Sequence, residues 1–149
     1  MSCDAYHMTD PHPQGEGAVL AMQIALDDAG VPAEEINYVN AHGTSTLVGD
    51  IAEVLALKRV LPNPEKVFMN STKSMTGHCL GAAGGIEAIA TIQTIKKSQG
   101  HPTINLDDPE PELTFQVPME SFPIDVRAAF SNSFGFGGHN ATLVFGPWK

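Results

Sequence analysis

Apolar and polar positions change period several times along the chain, and each change marks an element. Residues Gly17 to Gly30, GAVLAMQIALDDAG, space their apolar side chains for a helix and end on a glycine suited to a left-handed cap. INYVN, residues 36–40, reads as a strand. It leads to a second helix from about Asp50 to Leu61, which Pro62 stops. VFMN, residues 67–70, is the next strand. A loop carrying Lys73 and His78 follows, then a long helix from about Leu80 to Lys97, with lysines in its last turn and Gly100 beyond it. LDDPEPE, Leu106 to Glu112, is a surface loop by composition. VRAAFSNSF and NATLVFGPW read as two strands joined around GFGGHN. Strand–helix alternation closing on a hairpin predicts an α/β domain, a mixed sheet with helices on its faces.

The long helix departs from the amphipathic pattern. From Leu80 to Ile95 it carries one charge, Glu87, and apolar or small residues occur on every side. A helix that is apolar all round is normally buried all round, and a domain of this size has little material to cover it. A layer is therefore expected beyond these residues. Ala82, Ala83, Gly84 and Gly85 would let another backbone approach closely. Glu87 also needs a cation, because an ionised carboxylate buried alone is very costly. Lys73 is the nearest candidate in sequence.

Length and composition narrow the classes. At 149 residues the chain is one domain's worth, residues 1–149, with 42% hydrophobic and 17% charged residues. No apolar run reaches the roughly 20 residues that cross a bilayer, and the first residues do not read as a targeting segment. The net charge of −9 argues against nucleic acid as a partner, and the few basic residues are too scattered for a basic stripe. Cys3 and Cys79 lie far apart, without metal-ligand spacing or a disulfide framework, which fits a reducing compartment.

Candidate chemistry sits at the ends of the two inner strands. NAHGTST, residues 40–46, puts His42 in a turn-forming loop between strand and helix. NSTKSMTGHCLGAAGG, residues 70–85, repeats the arrangement with Lys73 and His78. Zinc binding would need a third ligand at convergent spacing, and no zinc pattern is present. A Schiff-base role for Lys73 is opposed by a glutamate partner, which would raise a lysine pKa that burial depresses. Ser45 and Ser133 lack a nucleophile elbow. Two histidines in matching contexts weigh against two merely hydrogen-bonded loop residues.

CDAYHMTDPHPQG, NAHGTST, STKSMTGHCLGAAGG and NSFGFGGHN resemble, in order, the successive motifs of the C-terminal half of β-ketoacyl-[acyl-carrier-protein] synthases. The likeness runs from Ser2 nearly to Lys149. GHCLGAAGGIEAIAT and the ending GGHNATLVFGPWK look most like the plastid and cyanobacterial forms, with the type I synthase nearest. The resemblance implies the C-terminal half of a thiolase-like fold, with about five strands in a mixed sheet and helices on both faces. It also implies a reaction, the decarboxylative condensation of an acyl thioester with malonyl-acyl carrier protein in fatty acid elongation.

In that chemistry charge develops on the malonyl thioester oxygen, and two N–H donors aimed at it stabilise the enolate. His42 and His78 match the family's paired histidines. Lys73 and Glu87 match its lysine and glutamate, read here as groups that fix the histidines and the local field. Phe136 matches the residue whose backbone N–H helps to bind the oxyanion and whose ring gates the acyl pocket; Gly135, Gly137 and Gly138 would permit the turns this needs. Phe134 reads as core. No metal or dissociable cofactor is implied, since the carrier-protein partner brings its own phosphopantetheine arm. A homodimer, and a plastid stroma or bacterial cytoplasm, are implied with it.

Contrasts inside the superfamily narrow the reaction. Chain-initiating and chalcone-type enzymes use histidine and asparagine at these places, and thiolases bring a second cysteine in the final glycine-rich loop. A type II polyketide ketosynthase remains the enzyme alternative. The family's acylated cysteine belongs to an N-terminal half that these 149 residues do not include. Cys79 begins a helix, where a thiolate is favoured, but it lies beside His78 and reads as a small buried residue; Cys3 precedes any helix. Alone, the chain is therefore expected to be inactive, and a non-catalytic remnant or interaction subunit is the second reading.

Overall fold

The computed structural model describes residues 1–148. After a short strand β1 (Ser2–Cys3), helix α1 (Glu16–Ala29) buries Ala18, Met22 and Leu26 along one stripe. It ends at Gly30 in the left-handed conformation that the sequence anticipates, whose N–H satisfies the carbonyls of Leu26 and Asp27. Strand β2 (Ile36–Asn40) leads to α2 (Gly49–Val60). Leu61, held extended before Pro62, closes that helix. Strand β3 (Phe68–Asn70), a one-turn helix α3 (Lys73–Thr76), helix α4 (Ala83–Lys97), strands β4 (Gln99–Gly100) and β5 (Phe122–Pro123), and the hairpin β6 (Ala128–Gly135) and β7 (His139–Phe145) complete the order.

Five strands form one sheet in the order β1-β7-β6-β2-β3. The β1–β7 and β7–β6 pairs are antiparallel, whereas β6–β2 and β2–β3 are parallel, so the sheet is mixed. Alternate residues of the inner strands divide between its faces. Val39 and Phe130 join Met22, Leu26 and Leu57 under α1 and α2. Tyr38 and Ala129 join Ile95 of α4 with Phe122, Ile124 and Val126 on the other face. Full burial of each large apolar side chain contributes about 1.5–3 kcal/mol. Because β2 and β3 are parallel neighbours, their C-terminal ends lie side by side, and both histidine-bearing loops leave from that edge.

Two expectations change here. The helix does not start at Leu80: Leu80–Ala82 form a 3₁₀ turn, because Leu80 takes a left-handed φ of 49° that an α-helix cannot contain. As the expected missing layer would leave it, α4 is covered on one side only. Glu87, Thr91 and Thr94 face inward, while Ile89 and Ile92 on the same helix, and Leu80 ahead of it, stand exposed. Cys79, expected to be buried, is exposed as well. The positive φ values of Gly77 and Leu80 turn this segment away from the packed face before α4 begins.

Candidate active site

Asn40 and Asn70 end the adjacent strands β2 and β3 and are fully buried, so their side chains need partners inside. Asn40 donates to Thr72 Oγ1 at 2.9 Å and to the Glu87 carbonyl at 3.2 Å, while Asn70 accepts from Tyr38 at 2.9 Å. These bonds tie both strand ends to the start of α3 and to α4. Two residues beyond Asn40 comes His42; three beyond Asn70 comes Lys73.

His42 and His78 meet edge to face, their ring centroids 5.6 Å apart. Lys73 Nζ lies 3.4 Å from His42 Nδ1 and makes a direct ion pair with Glu87. An ammonium can only donate, so Nδ1 must accept, and the ring proton of neutral His42 resides on Nε2. Burial first, then the charges of Lys73 and His78, push the His42 pKa down from 6.5 to about 3. The ring is thus an uncharged donor near neutrality. Burial also raises the Glu87 carboxyl, and Lys73 opposes that rise through its hydrogen bond and charge. Among the described residues Glu87 Oε2 has no hydrogen-bond partner of its own. The ring of Phe134 lies 5.6 Å from His42 and packs on the core, in keeping with its reading as a core residue.

A carboxylate that the sequence reading passed over holds the His42 loop from beneath. Glu53 of α2 is 2% exposed, and its two oxygens accept the backbone N–H groups of His42 and Gly43, each at 3.0 Å. Asn132 of β6 donates to it at 3.0 Å, and Thr142 of β7 donates to Asn132 at 2.8 Å. Burial raises the Glu53 carboxyl, and these donors oppose the rise. The available signal was a single charge among the buried positions Ala52, Val54, Ala56 and Leu57 of α2.

Phe136 is 74% exposed at the tip of the β6–β7 hairpin. Gly137 and Gly138 adopt positive φ, and a Cβ at Gly138 would collide with the Asp4 carbonyl oxygen. Gly135 is extended, so its backbone would accept other residues. Asp4 donates its N–H to the Gly138 carbonyl at 2.9 Å, and Gly137 donates to Met8 at 2.8 Å, which fastens the tip to the chain's first residues. Lys73 and His78 help to line a cleft of about 490 Å³, together with Thr44, Thr46, Ser74, Ile104 and Leu106. Hydroxyl, carboxylate and apolar side chains share its lining, which suits a ligand of mixed polarity.

Residues 1–107 match the β-ketoacyl synthase C-terminal domain. The chain belongs to the β-ketoacyl synthase family. It is 57% identical to the chloroplastic 3-oxoacyl-[acyl-carrier-protein] synthase I of Hordeum vulgare over 150 residues, covering 100% of this chain and 32% of that protein. The 3-oxoacyl-[acyl-carrier-protein] synthase 2 of Synechocystis is 52% identical, with 100% and 36% covered. The chain thus spans about a third of the length of these β-ketoacyl synthases. Among solved structures, a β-ketoacyl synthase from Burkholderia phymatum superposes with a TM-score of 0.90 at 41% identity, over 99% of this chain and 36% of that one. A type II polyketide ketosynthase, in complex with its acyl-carrier protein, superposes at 0.94 with 37% identity, over 98% and 36%. The α/β half-fold expected from the sequence is the fold these ketosynthases share.

Proposed function

We propose that the chain supplies the decarboxylating part of an elongating 3-oxoacyl-[acyl-carrier-protein] synthase. The observation that supports this most directly is the histidine pair, with Lys73 against His42 Nδ1 leaving an uncharged N–H donor on Nε2. In the scheme, the bond from the malonyl α-carbon to its carboxylate breaks and carbon dioxide leaves. The electron pair passes into the thioester as an enolate, and His42 and His78 donate to the oxygen on which the charge collects. The enolate carbon then attacks the carbonyl of an acyl group held as a thioester on cysteine, and the thiolate departs.

Lys73 and Glu87 hold the donor geometry in this reading, and Phe136 contributes its backbone N–H to the second oxyanion. In this reading the acylated cysteine comes from another part of the synthase, because neither Cys79 nor Cys3, both exposed, occupies the family's matching place. The partner is an acyl carrier protein whose phosphopantetheine arm delivers the thioester, the working state is a homodimer, and the compartment is a plastid stroma or bacterial cytoplasm. Among the described residues no helix is long and apolar enough to cross a membrane. Fatty acid elongation is favoured over polyketide extension by the 57% identity to the barley synthase against 37% to the polyketide ketosynthase.

The test is made with the chain assembled with a cysteine-bearing N-terminal half. His42→Ala and His78→Ala should each slow malonyl decarboxylation on the order of a hundredfold or more, as loss of an oxyanion donor does. Acylation of the cysteine should suffer less. Unchanged carbon dioxide release in either variant would remove the assigned role.

A further inference from the structure

A third histidine lies behind the site. His101, in the loop after β4, is half-buried and does not line the cleft beside Lys73. Its Nδ1 is 2.9 Å from the Pro102 carbonyl oxygen, which can only accept, and 3.3 Å from the Asn70 amide nitrogen, which already donates to the His101 carbonyl; the shorter contact assigns the proton to Nδ1. Its Nε2 is then a bare acceptor, 2.9 Å from Thr72 Oγ1. The Thr72 hydroxyl donates to it and in turn accepts from Asn40 Nδ2 at 2.9 Å. The second N–H of Asn40 reaches the Glu87 carbonyl at 3.2 Å. Asn70 secures the loop from the other side, donating to the His101 carbonyl at 2.7 Å. Burial lowers the His101 pKa, which keeps Nε2 free to accept.

We infer that His101 is a positioning residue for decarboxylation: through Thr72 and Asn40 it fixes the three segments that carry Lys73, His42 and Glu87. Thr72 directly precedes Lys73, and Asn40 stands two residues before His42. The hydroxyl of Thr72 has a second possible acceptor, Asn40 Oδ1 at 3.2 Å. Without His101 it turns there, the Thr72–Asn40 contact loses its single arrangement, and the Lys73–His42 contact loosens. Because His101 does not border the cleft, the effect falls on kcat and leaves KM in place.

This inference rests on the proposed decarboxylation, and its test separates the two. In the assembled synthase, malonyl decarboxylation is measured for wild type, His42→Ala, His101→Ala and His101→Gln. His101→Ala should lower kcat about tenfold or more, in the range typical of groups that orient reacting residues, with KM within twofold on the same principle of an intact binding surface. His101→Gln, whose side-chain oxygen can accept from Thr72, should restore most of the loss. If His101→Ala does not fold, Thr72→Val against Thr72→Ser carries the comparison, since only serine keeps the hydroxyl. A wild-type kcat in His101→Ala or Thr72→Val, a change confined to KM, or no rescue by glutamine or serine would overturn the inference while His42→Ala remains impaired. Full activity in His42→Ala would overturn the proposed function, and this inference with it.

Discussion

At His42, burial and the neighbouring Lys73 act in the same direction, and the consequence is measurable as a pH dependence. The unfolded ring titrates near 6.5 and the folded one near about 3. Between those values the folded chain binds fewer protons, so the contribution to stability is fully present above pH 6.5 and is lost as pH falls toward 3. Replacing His42 by glutamine should flatten the slope of unfolding free energy against pH across that window, as read from denaturant melts at a series of pH values. An unchanged slope would place the folded pKa near its ordinary value. For Lys73 and Glu87, with side chains 5% and 2% exposed, removing one partner strands the other's charge. Each alanine variant should cost about 3 to 5 kcal/mol, with the double variant less harmful than the sum of the two. Simple additivity in the double-mutant cycle would contradict the pairing.

Among the elements, α2 and the loop before it depend on Glu53 as much as on packing. Glu53→Ala leaves the N–H groups of His42 and Gly43 without this acceptor and the Asn132 amide with only the weak Met22 sulfur. The expected cost is on the order of 3 kcal/mol or more in a chemical melt, since each buried unsatisfied donor costs about 1–3 kcal/mol. A cost below 1 kcal/mol, the level of an ordinary surface change, would mean that water replaces the carboxylate. Glu53 also marks the limit of what the sequence made legible. The helices α1 and α2 stood out because each buries one stripe against the sheet, the strands β2, β6 and β7 because they are short apolar runs bounded by turn residues, and the Lys73–Glu87 pair followed from the cost of one buried charge. The carboxylate clamp, the Asn40–Thr72–His101 chain and the strand β1 were not legible, because each joins residues far apart in the chain through the sheet order. The start of α4 and the exposure of Cys79 turned on the left-handed backbone of Leu80, and no local propensity favours that conformation at leucine.

For the whole molecule, the apolar residues left outside are as informative as those within. Leu80 and Ile89 are 73% and 62% exposed along one segment, next to the small residues Gly81 and Gly85, which also lie open. Exposed apolar surface of this kind drives association. The chain expressed alone should therefore self-associate, and Ile89→Lys should shift its mass in solution toward the monomer while weakening its recovery with an N-terminal half. The central claim is that these residues form one part of a condensing site and need a cysteine supplied from elsewhere. The most direct measurement is acyl-carrier-protein elongation by residues 1–149 alone and after co-expression with the N-terminal half of the barley chloroplastic synthase. The account predicts turnover only from the co-expressed pair. Turnover by the chain alone would make Cys79 the leading nucleophile, and a stable assembled pair without turnover would make the chain an interaction subunit; either result contradicts the account.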